Sequence, residues 1–162
     1  MTNILIFGNS GSGKSTLAKQ LVESLQPSKK SLQPGKELAH LDLDNLAWLP
    51  TTPPQRTPLA QSEQQIKAFT KANKNWVIEG CYADLLELVA HQASEIIFIN
   101  LSAEQCVENA KNRPWEPHKY ETKAAQDKNL GMLIDWIKQY DQREDEFSLI
   151  AHQRFYDGFV GK

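Results

Sequence analysis

The residues with the clearest chemical potential are residues 8–15, which read G-N-S-G-S-G-K-S. Their glycines, lysine and serine fall at the spacing of the phosphate-binding pattern G-x-x-x-x-G-K-[ST]. A nucleoside triphosphate concentrates several negative charges in a small volume. A glycine-rich turn at a helix N-terminus can surround those charges with backbone N–H groups. The octet therefore predicts a site that binds the polyphosphate of a nucleotide.

Each position of this loop has an expected role. Glycine has no Cβ, so the backbone can approach the phosphates closely and adopt angles that other residues avoid. Lys14 should reach the β- and γ-phosphates, and the Ser15 hydroxyl should ligate Mg²⁺. The predicted nucleotide-binding residues are those of the loop and the residue after it: Gly8, Asn9, Ser10, Gly11, Ser12, Gly13, Lys14, Ser15 and Thr16.

Carboxylates follow two of the strands that we predict further along the chain. Asp42 and Asp44 come at the end of one strand, and Glu79 and Gly80 end the next. Ligands of parallel sheets bind beyond the C-terminal strand ends, so these acids should lie beside the loop. We expect Asp42 or Glu79 to hold waters of a Mg²⁺ ion on Ser15, and Asp44 to orient or deprotonate an acceptor hydroxyl. The alternative for each acid is a turn, a cap or a salt bridge.

The segments around these residues predict the elements that position them. A short apolar run of strand type precedes the loop, and leucines at helical spacing follow it. Strand and helix patterns then alternate, which predicts one α/β domain over residues 1–162, with a parallel sheet covered by helices. The predicted strands are residues 2–7, 38–42, 76–80 and 95–99, and the predicted helices are residues 14–25, 58–73, 83–91, 103–112 and 122–155.

Two proline-containing stretches interrupt this pattern. Residues 26–36 are predicted to form a loop. Residues 50–58 are too irregular for either a strand or a helix period. We expect Thr57 to cap the helix that follows, with Pro58 in the first turn.

Bulk properties exclude several function classes. The net charge is −2, so an extended nucleic-acid surface is not expected. No apolar stretch approaches the length that crosses a bilayer, and the N-terminus has no pattern of an export signal. Cys81 and Cys106 lack the paired spacing of zinc or redox motifs. These features together predict a cytoplasmic protein with reduced thiols.

The loop, the D-L-D of residues 42–44 and the W-V-I-E-G-C-Y of residues 76–82 together carry a family resemblance. The chain resembles the nucleoside monophosphate kinase and shikimate kinase group of P-loop kinases. In detail it is most similar to proteins described as DNA topology modulation proteins, or adenylate-kinase-like ATPases. The resemblance covers most of residues 2–120. It implies a three-layer α/β/α P-loop NTPase fold with sheet order 2-3-1-4, a small helical lid and, as an open alternative, a fifth strand.

The same resemblance implies an ATP-dependent kinase with Mg²⁺ and a small acceptor, either a nucleoside monophosphate or a hydroxyl compound. It assigns acceptor binding to residues 43–74 and the lid to residues 109–121. The implied catalytic residues are Lys14, Asp44 and Arg113. The implied acceptor-binding residues are Asp42, Asp44, Arg56, Glu79, Gly80 and Tyr82.

One departure from the family pattern leaves a second function open. Asn109 stands where an arginine is often found, so Arg113 and Lys111 are the cations of the expected lid. A weaker clamp on the phosphoryl group would suit a nucleotide-binding regulatory ATPase with little transfer activity. A kinase that acts on nucleic-acid ends is a further alternative, although the charge balance disfavours it. The sequence does not specify the acceptor or the oligomeric state.

Overall fold

The computed structural model describes residues 1–25 and 37–162, which form alternating strands and helices. In chain order the elements are β1 (Asn3–Gly8), α1 (Lys14–Leu25), β2 (Leu38–Asp42), α2 (Asp44–Ala47), β3 (Trp48–Leu49), β4 (Gln55–Arg56), α3 (Leu59–Ala72), β5 (Asn75–Gly80), α4 (Ala83–Val89), a 3-10 turn (Ala90–Gln92), β6 (Glu95–Ile99), α5 (Ala103–Lys111), α6 (Lys123–Lys138) and α7 (Leu149–Gly158).

The centre of the fold is a parallel sheet of four strands in the order β2-β5-β1-β6. Numbered among themselves, these strands lie in the order 2-3-1-4, which confirms the predicted P-loop NTPase topology. No fifth strand joins this sheet within residues 1–25 and 37–162. The edge strand β6 instead donates the Ile96 N–H to the Lys162 carbonyl at 2.8 Å.

Helices cover both faces of the sheet because the strand side chains alternate between them. Leu5 and Phe7 of β1 point into a cluster with side chains of α3, α4 and α7. Ile4 and Ile6 point to the other face, where α1 packs. A separate apolar cluster joins α5 to α6. Among the described helices, none is both long and apolar enough to traverse a bilayer.

The predicted single helix over residues 122–155 is wrong. The structure has two helices, α6 and α7, with residues 139–148 between them. The break lets Phe147 turn inward, where its ring lies 5.3 Å from the Trp136 ring and 5.3 Å from the Tyr82 ring. Burial of an aromatic side chain therefore outweighs helical periodicity in this segment.

The proline-containing stretch at residues 50–58 differs from expectation at two points. Within residues 50–58, only Gln55–Arg56 form a strand, β4, which pairs antiparallel with β3, and this pair is too brief to predict from a pattern. The cap of α3 is Pro58 rather than Thr57. The Thr57 N–H donates to the Ala47 carbonyl at 2.9 Å, which ties the chain to α2 before the helix begins. The predicted loop at residues 26–36 lies outside the described residues.

The predicted lid is helical only at its start. Residues 109–111 complete α5, and residues 112–122 form a turn-rich connection to α6. Pro114 and Pro117 explain the lack of a helix there, since proline removes a backbone donor and clashes with the preceding turn.

Candidate functional site

The glycine-rich loop joins β1 to α1 as the motif predicts. Gly11 and Gly13 have φ angles of 78° and 92°, in the left-handed region that favours glycine. A Cβ on Gly11 would lie 2.4 Å from the Cys106 carbonyl oxygen, so α5 could not approach the loop. Around Gly13 a Cβ would meet nothing within 4 Å. Gly13 therefore requires glycine because of its backbone conformation. Gly11 requires glycine because of both its backbone conformation and its packing against α5.

The polar side chains of the loop point inward. The Lys14 side chain is buried at the start of α1, and its Nζ donates to the Asn9 carbonyl at 2.7 Å. The Asn9 amide donates to the Ile137 carbonyl at 3.2 Å, which anchors the loop to α6. Among the described residues, the buried Asn9 Oδ1 and Ser12 Oγ have no hydrogen-bond partner. The loop thus brings a buried cation and uncommitted polar groups together.

Glu79 connects the loop to the neighbouring strands. The Ser15 hydroxyl donates to Glu79 Oε1 at 2.7 Å, and His40 Nε2 lies 3.2 Å from the same oxygen. Asp42 is the register partner of Glu79 across β2 and β5. The structure therefore brings the predicted metal-site residues Ser15, Asp42 and Glu79 to one edge of the sheet.

Burial, together with the negative charges of Asp44 and Glu79, raises the pKa of Asp42 to about 6, although the Lys119 charge acts in the opposite direction. The Asp42 carboxylate is therefore readily protonated just below neutral pH. Its Oδ1 also accepts the Asp44 N–H at 2.9 Å, which turns the chain into α2.

Asp44 has the opposite tendency. Burial alone would raise the pKa of Asp44, but the Lys119 ammonium at 2.9 Å and a hydrogen bond from the Tyr82 hydroxyl outweigh burial and lower it. The Trp48 indole N–H donates to the Tyr82 hydroxyl oxygen at 2.8 Å. This chain of hydrogen bonds from Trp48 through Tyr82 orients the Asp44 carboxylate.

Lys119 was interpreted from the sequence as a solvated loop residue, although it could also approach phosphates, and the structure places it among the carboxylates of the site. Lys119 lies in the connection between α5 and α6. Its Nζ lies 2.9 Å from Asp44, 3.4 Å from Glu116 and 3.7 Å from Asp42. Burial would lower the pKa of Lys119, but these carboxylates raise it. The available signal was weak: Lys119 is the single lysine in residues 112–122.

Arg56 lies beside the same cluster but pairs with other acids. Its guanidinium is 2.6 Å from Glu146 and 3.1 Å from Asp84. It also lies over the rings of Tyr82 and Phe147, at 4.9 and 5.4 Å from their centroids. Arg56 was predicted to bind the acceptor, and in the structure both ends of its guanidinium contact carboxylates.

The remaining predicted residues, Arg113 and Gly80, lie in the lid segment and at the end of β5. Arg113 pairs with Glu116 at 3.2 Å. Asn109 donates its side-chain amide to the Gly11 carbonyl at 2.8 Å, so the residue in place of the expected arginine contacts the loop. Gly80 is buried at the end of β5, where a Cβ would lie 2.9 Å from the Leu43 Cβ. Gly80 thus permits the close approach of the segment that carries Asp44.

The donor set suits a hard cation. Hydroxyl and carboxylate oxygens, from Ser15, Asp42 and Glu79, are the ligand types that Mg²⁺ prefers. Within residues 1–25 and 37–162, no group of three or more His, Cys, Asp and Glu side chains has the arrangement of a metal site. Ser15, Asp42 and Glu79 are therefore the residues that could hold a magnesium ion at this edge, directly or through its waters.

Comparison with known proteins gives one family. A family model described as an AAA domain matches residues 4–144, a span that includes the loop, the carboxylates and Lys119. No curated protein matches the chain.

Proposed function

The chain belongs to the AAA domain family, and from that premise we propose that it transfers the γ-phosphoryl group of ATP·Mg²⁺ to a small acceptor. The family and the loop make it a nucleotide-binding P-loop protein. The observation that most supports a transfer reaction is the 2.7 Å hydrogen bond from Ser15 to Glu79. It joins the phosphate-binding loop directly to the Glu79 carboxylate of β5, which is paired in register with Asp42 of β2.

In this proposal residues 8–16 bind the triphosphate through backbone N–H groups, and Lys14 contacts the β- and γ-phosphates. Ser15 would hold Mg²⁺, with Asp42 and Glu79 accepting hydrogen bonds from its waters. The ion would supply positive charge that neutralises the phosphate oxygens. The buried, partnerless Asn9 Oδ1 and Ser12 Oγ fit a loop that completes its hydrogen bonds with a ligand.

The acceptor side is assigned to residues 43–74 and Tyr82. For an alcohol acceptor, the hydroxyl oxygen would bond to the γ-phosphorus while the bond to the β,γ-bridging oxygen breaks and ADP leaves. The lowered pKa of Asp44 suits it to orient the hydroxyl through a hydrogen bond. Asp42, with its pKa raised to about 6, is the better site for the released proton.

A regulatory ATPase with little transfer activity is the second candidate. The pairing of Arg113 with Glu116 at 3.2 Å favours it, because this lid arginine already has a carboxylate partner. Measuring the rate of ADP release with and without an added acceptor distinguishes the two functions. A rate that rises with an acceptor supports transfer. ADP release that is the same with and without every acceptor supports regulation.

The cytoplasmic location remains a prediction from the two cysteines.

The nucleotide assignment is tested by Lys14→Ala. At ATP·Mg²⁺ about 100 times above its dissociation constant, binding should stabilise the wild type by about 2.7 kcal/mol, roughly 5–10 °C in a thermal-shift assay. Lys14→Ala should abolish this shift because the loop loses its cation. Lys19→Ala, an exposed lysine of the same helix, is the matched control and should keep it. An unchanged shift in Lys14→Ala would refute the loop assignment.

A further inference from the structure

The charges on the acceptor side bear on the class of acceptor. We propose that the acceptor is an uncharged or cationic hydroxyl compound, one that carries no phosphate or carboxylate group. This inference rests on the proposed phosphoryl transfer. It disfavours a nucleoside monophosphate, which needs a cation to receive its own phosphate.

Arg56 is already committed to carboxylates. One end of its guanidinium lies 2.6 Å from Glu146 and the other 3.1 Å from Asp84, and 22% of its side chain is exposed. Three aromatic rings lie under it. An acceptor phosphate could reach Arg56 only by breaking these pairs, and it would then lie next to the two released carboxylates. Like charges at such short range are strongly unfavourable.

Lys119 is committed in the same way. Its ammonium contacts Asp44, Asp42 and Glu116, at 2.9, 3.7 and 3.4 Å. Withdrawing Lys119 to bind an acceptor phosphate would leave two neighbouring acids, Asp42 and Asp44, without their shared cation. In the described part of the chain these two cations, Lys119 and Arg56, therefore contact five carboxylates.

A hydroxyl compound without an anionic group fits this arrangement without breaking a pair. Asp44 keeps 38% of its side chain exposed and can accept a hydrogen bond while it contacts Lys119. Trp48 is 42% exposed and adjoins Tyr82, so it presents an aromatic surface beside that carboxylate. The excess of carboxylates would also attract a protonated amine. The site thus favours alcohols, including amino alcohols, over phosphorylated acceptors.

The first test measures AMP binding to the ADP·Mg²⁺-loaded protein by calorimetric titration. Wild type, Arg56→Met and Lys119→Met are compared, with Lys123→Met as the control because Lys123 lies in an exposed pair with Asp127. We expect neither variant to bind AMP threefold or more weakly than the wild type, since neither cation receives the phosphate, and an absence of detectable AMP binding in all four proteins also meets this expectation. A loss of threefold or more in either variant, with the control unchanged, would overturn the inference.

The second test measures ADP release with matched acceptors: adenosine and AMP, ribose and ribose 5-phosphate, ethanolamine and phosphoethanolamine. The member without phosphate should show a kcat/KM about tenfold higher or more, because a like-charge contact costs several kcal/mol. Preference for a phosphorylated member would overturn the inference. If no compound increases ADP release, the transfer proposal is what fails, and the AMP titration still decides the charge argument.

Discussion

At the scale of single residues, the site shows two nearby acids with opposite protonation behaviour. Asp42 has a raised pKa of about 6, whereas the pKa of Asp44 is lowered. The difference follows from position, because Lys119 is 2.9 Å from Asp44 and 3.7 Å from Asp42. Asp42 also faces two negative neighbours. Burial raises the pKa of both carboxyl groups, and the Lys119 ammonium with the Tyr82 hydroxyl outweighs it only at Asp44.

Replacing Lys119 should change the titration of Asp42. The Lys119 charge lowers the pKa of Asp42, so Lys119→Met should move its midpoint up from about 6 by about 1 pH unit. Carbon-13 NMR of the aspartate carboxyl groups measures this directly and does not depend on activity. Lys123→Met should leave the midpoint in place. A midpoint for Asp42 that stays or falls in Lys119→Met would contradict the electrostatic account.

At the scale of elements, the ends of β2 and β5 must approach closely to bring the acids together. Leu43 follows β2 and packs over Gly80 at the end of β5. A Cβ added to Gly80 would lie only 2.9 Å from the Leu43 Cβ. The Leu43 N–H donates to the Glu79 carbonyl at 2.9 Å. Gly80 therefore serves the site through packing, by allowing α2 and Asp44 to lie against β5.

Two glycine substitutions test this packing. Gly80→Ala should lower the free energy of unfolding by about 1–3 kcal/mol, because the methyl group meets a buried side chain. Gly131→Ala should raise it by roughly 0.5–1 kcal/mol, since this position in α6 has nothing within 4 Å of a new Cβ and alanine is the better helix former. Urea unfolding gives both values. Equal stability of Gly80→Ala and wild type would show that Leu43 moves aside at little cost.

At the scale of the whole molecule, His152 links distant parts of the chain. It is fully buried on α7, where its Nδ1 accepts the Tyr140 hydroxyl at 2.7 Å and its Nε2–H donates to the Cys81 carbonyl at 2.8 Å. These bonds connect α7 with the end of α6 and with the residue after β5. Burial lowers the pKa of His152 from 6.5 to about 4, so the neutral ring is the folded form.

This buried histidine predicts acid sensitivity. Below pH 6.5 the unfolded chain takes up a proton that the folded protein excludes, so stability falls as the pH drops toward 4. Between pH 7.5 and 4.5 the loss from His152 should be about 2.5 kcal/mol. His152→Gln should lack this component while it keeps those of all other groups, including the opposite contribution of Asp42. Urea unfolding at both pH values measures the difference, and identical pH dependence in the two proteins would exclude His152 as its source.

Short-range features were open to prediction from the sequence. The glycine loop and the alternation of strands and helices depend on backbone preferences and periodicity within a few neighbouring residues. The order of the sheet came from the family resemblance and was confirmed. Residues 122–155 show the limit, because helical periodicity there did not reveal the turn that buries Phe147.

What the sequence determined by itself was the phosphate-binding loop, the α/β class and the placement of acids at strand ends. The long-range partners of Asp44 and Arg56 were decided by tertiary structure alone. Lys119 and Asp44 are 75 residues apart in the chain, and Arg56 and Glu146 are 90 apart. Ion pairs at such separations form only where packing of the whole chain brings the groups within a few ångströms, and no local pattern encodes that distance.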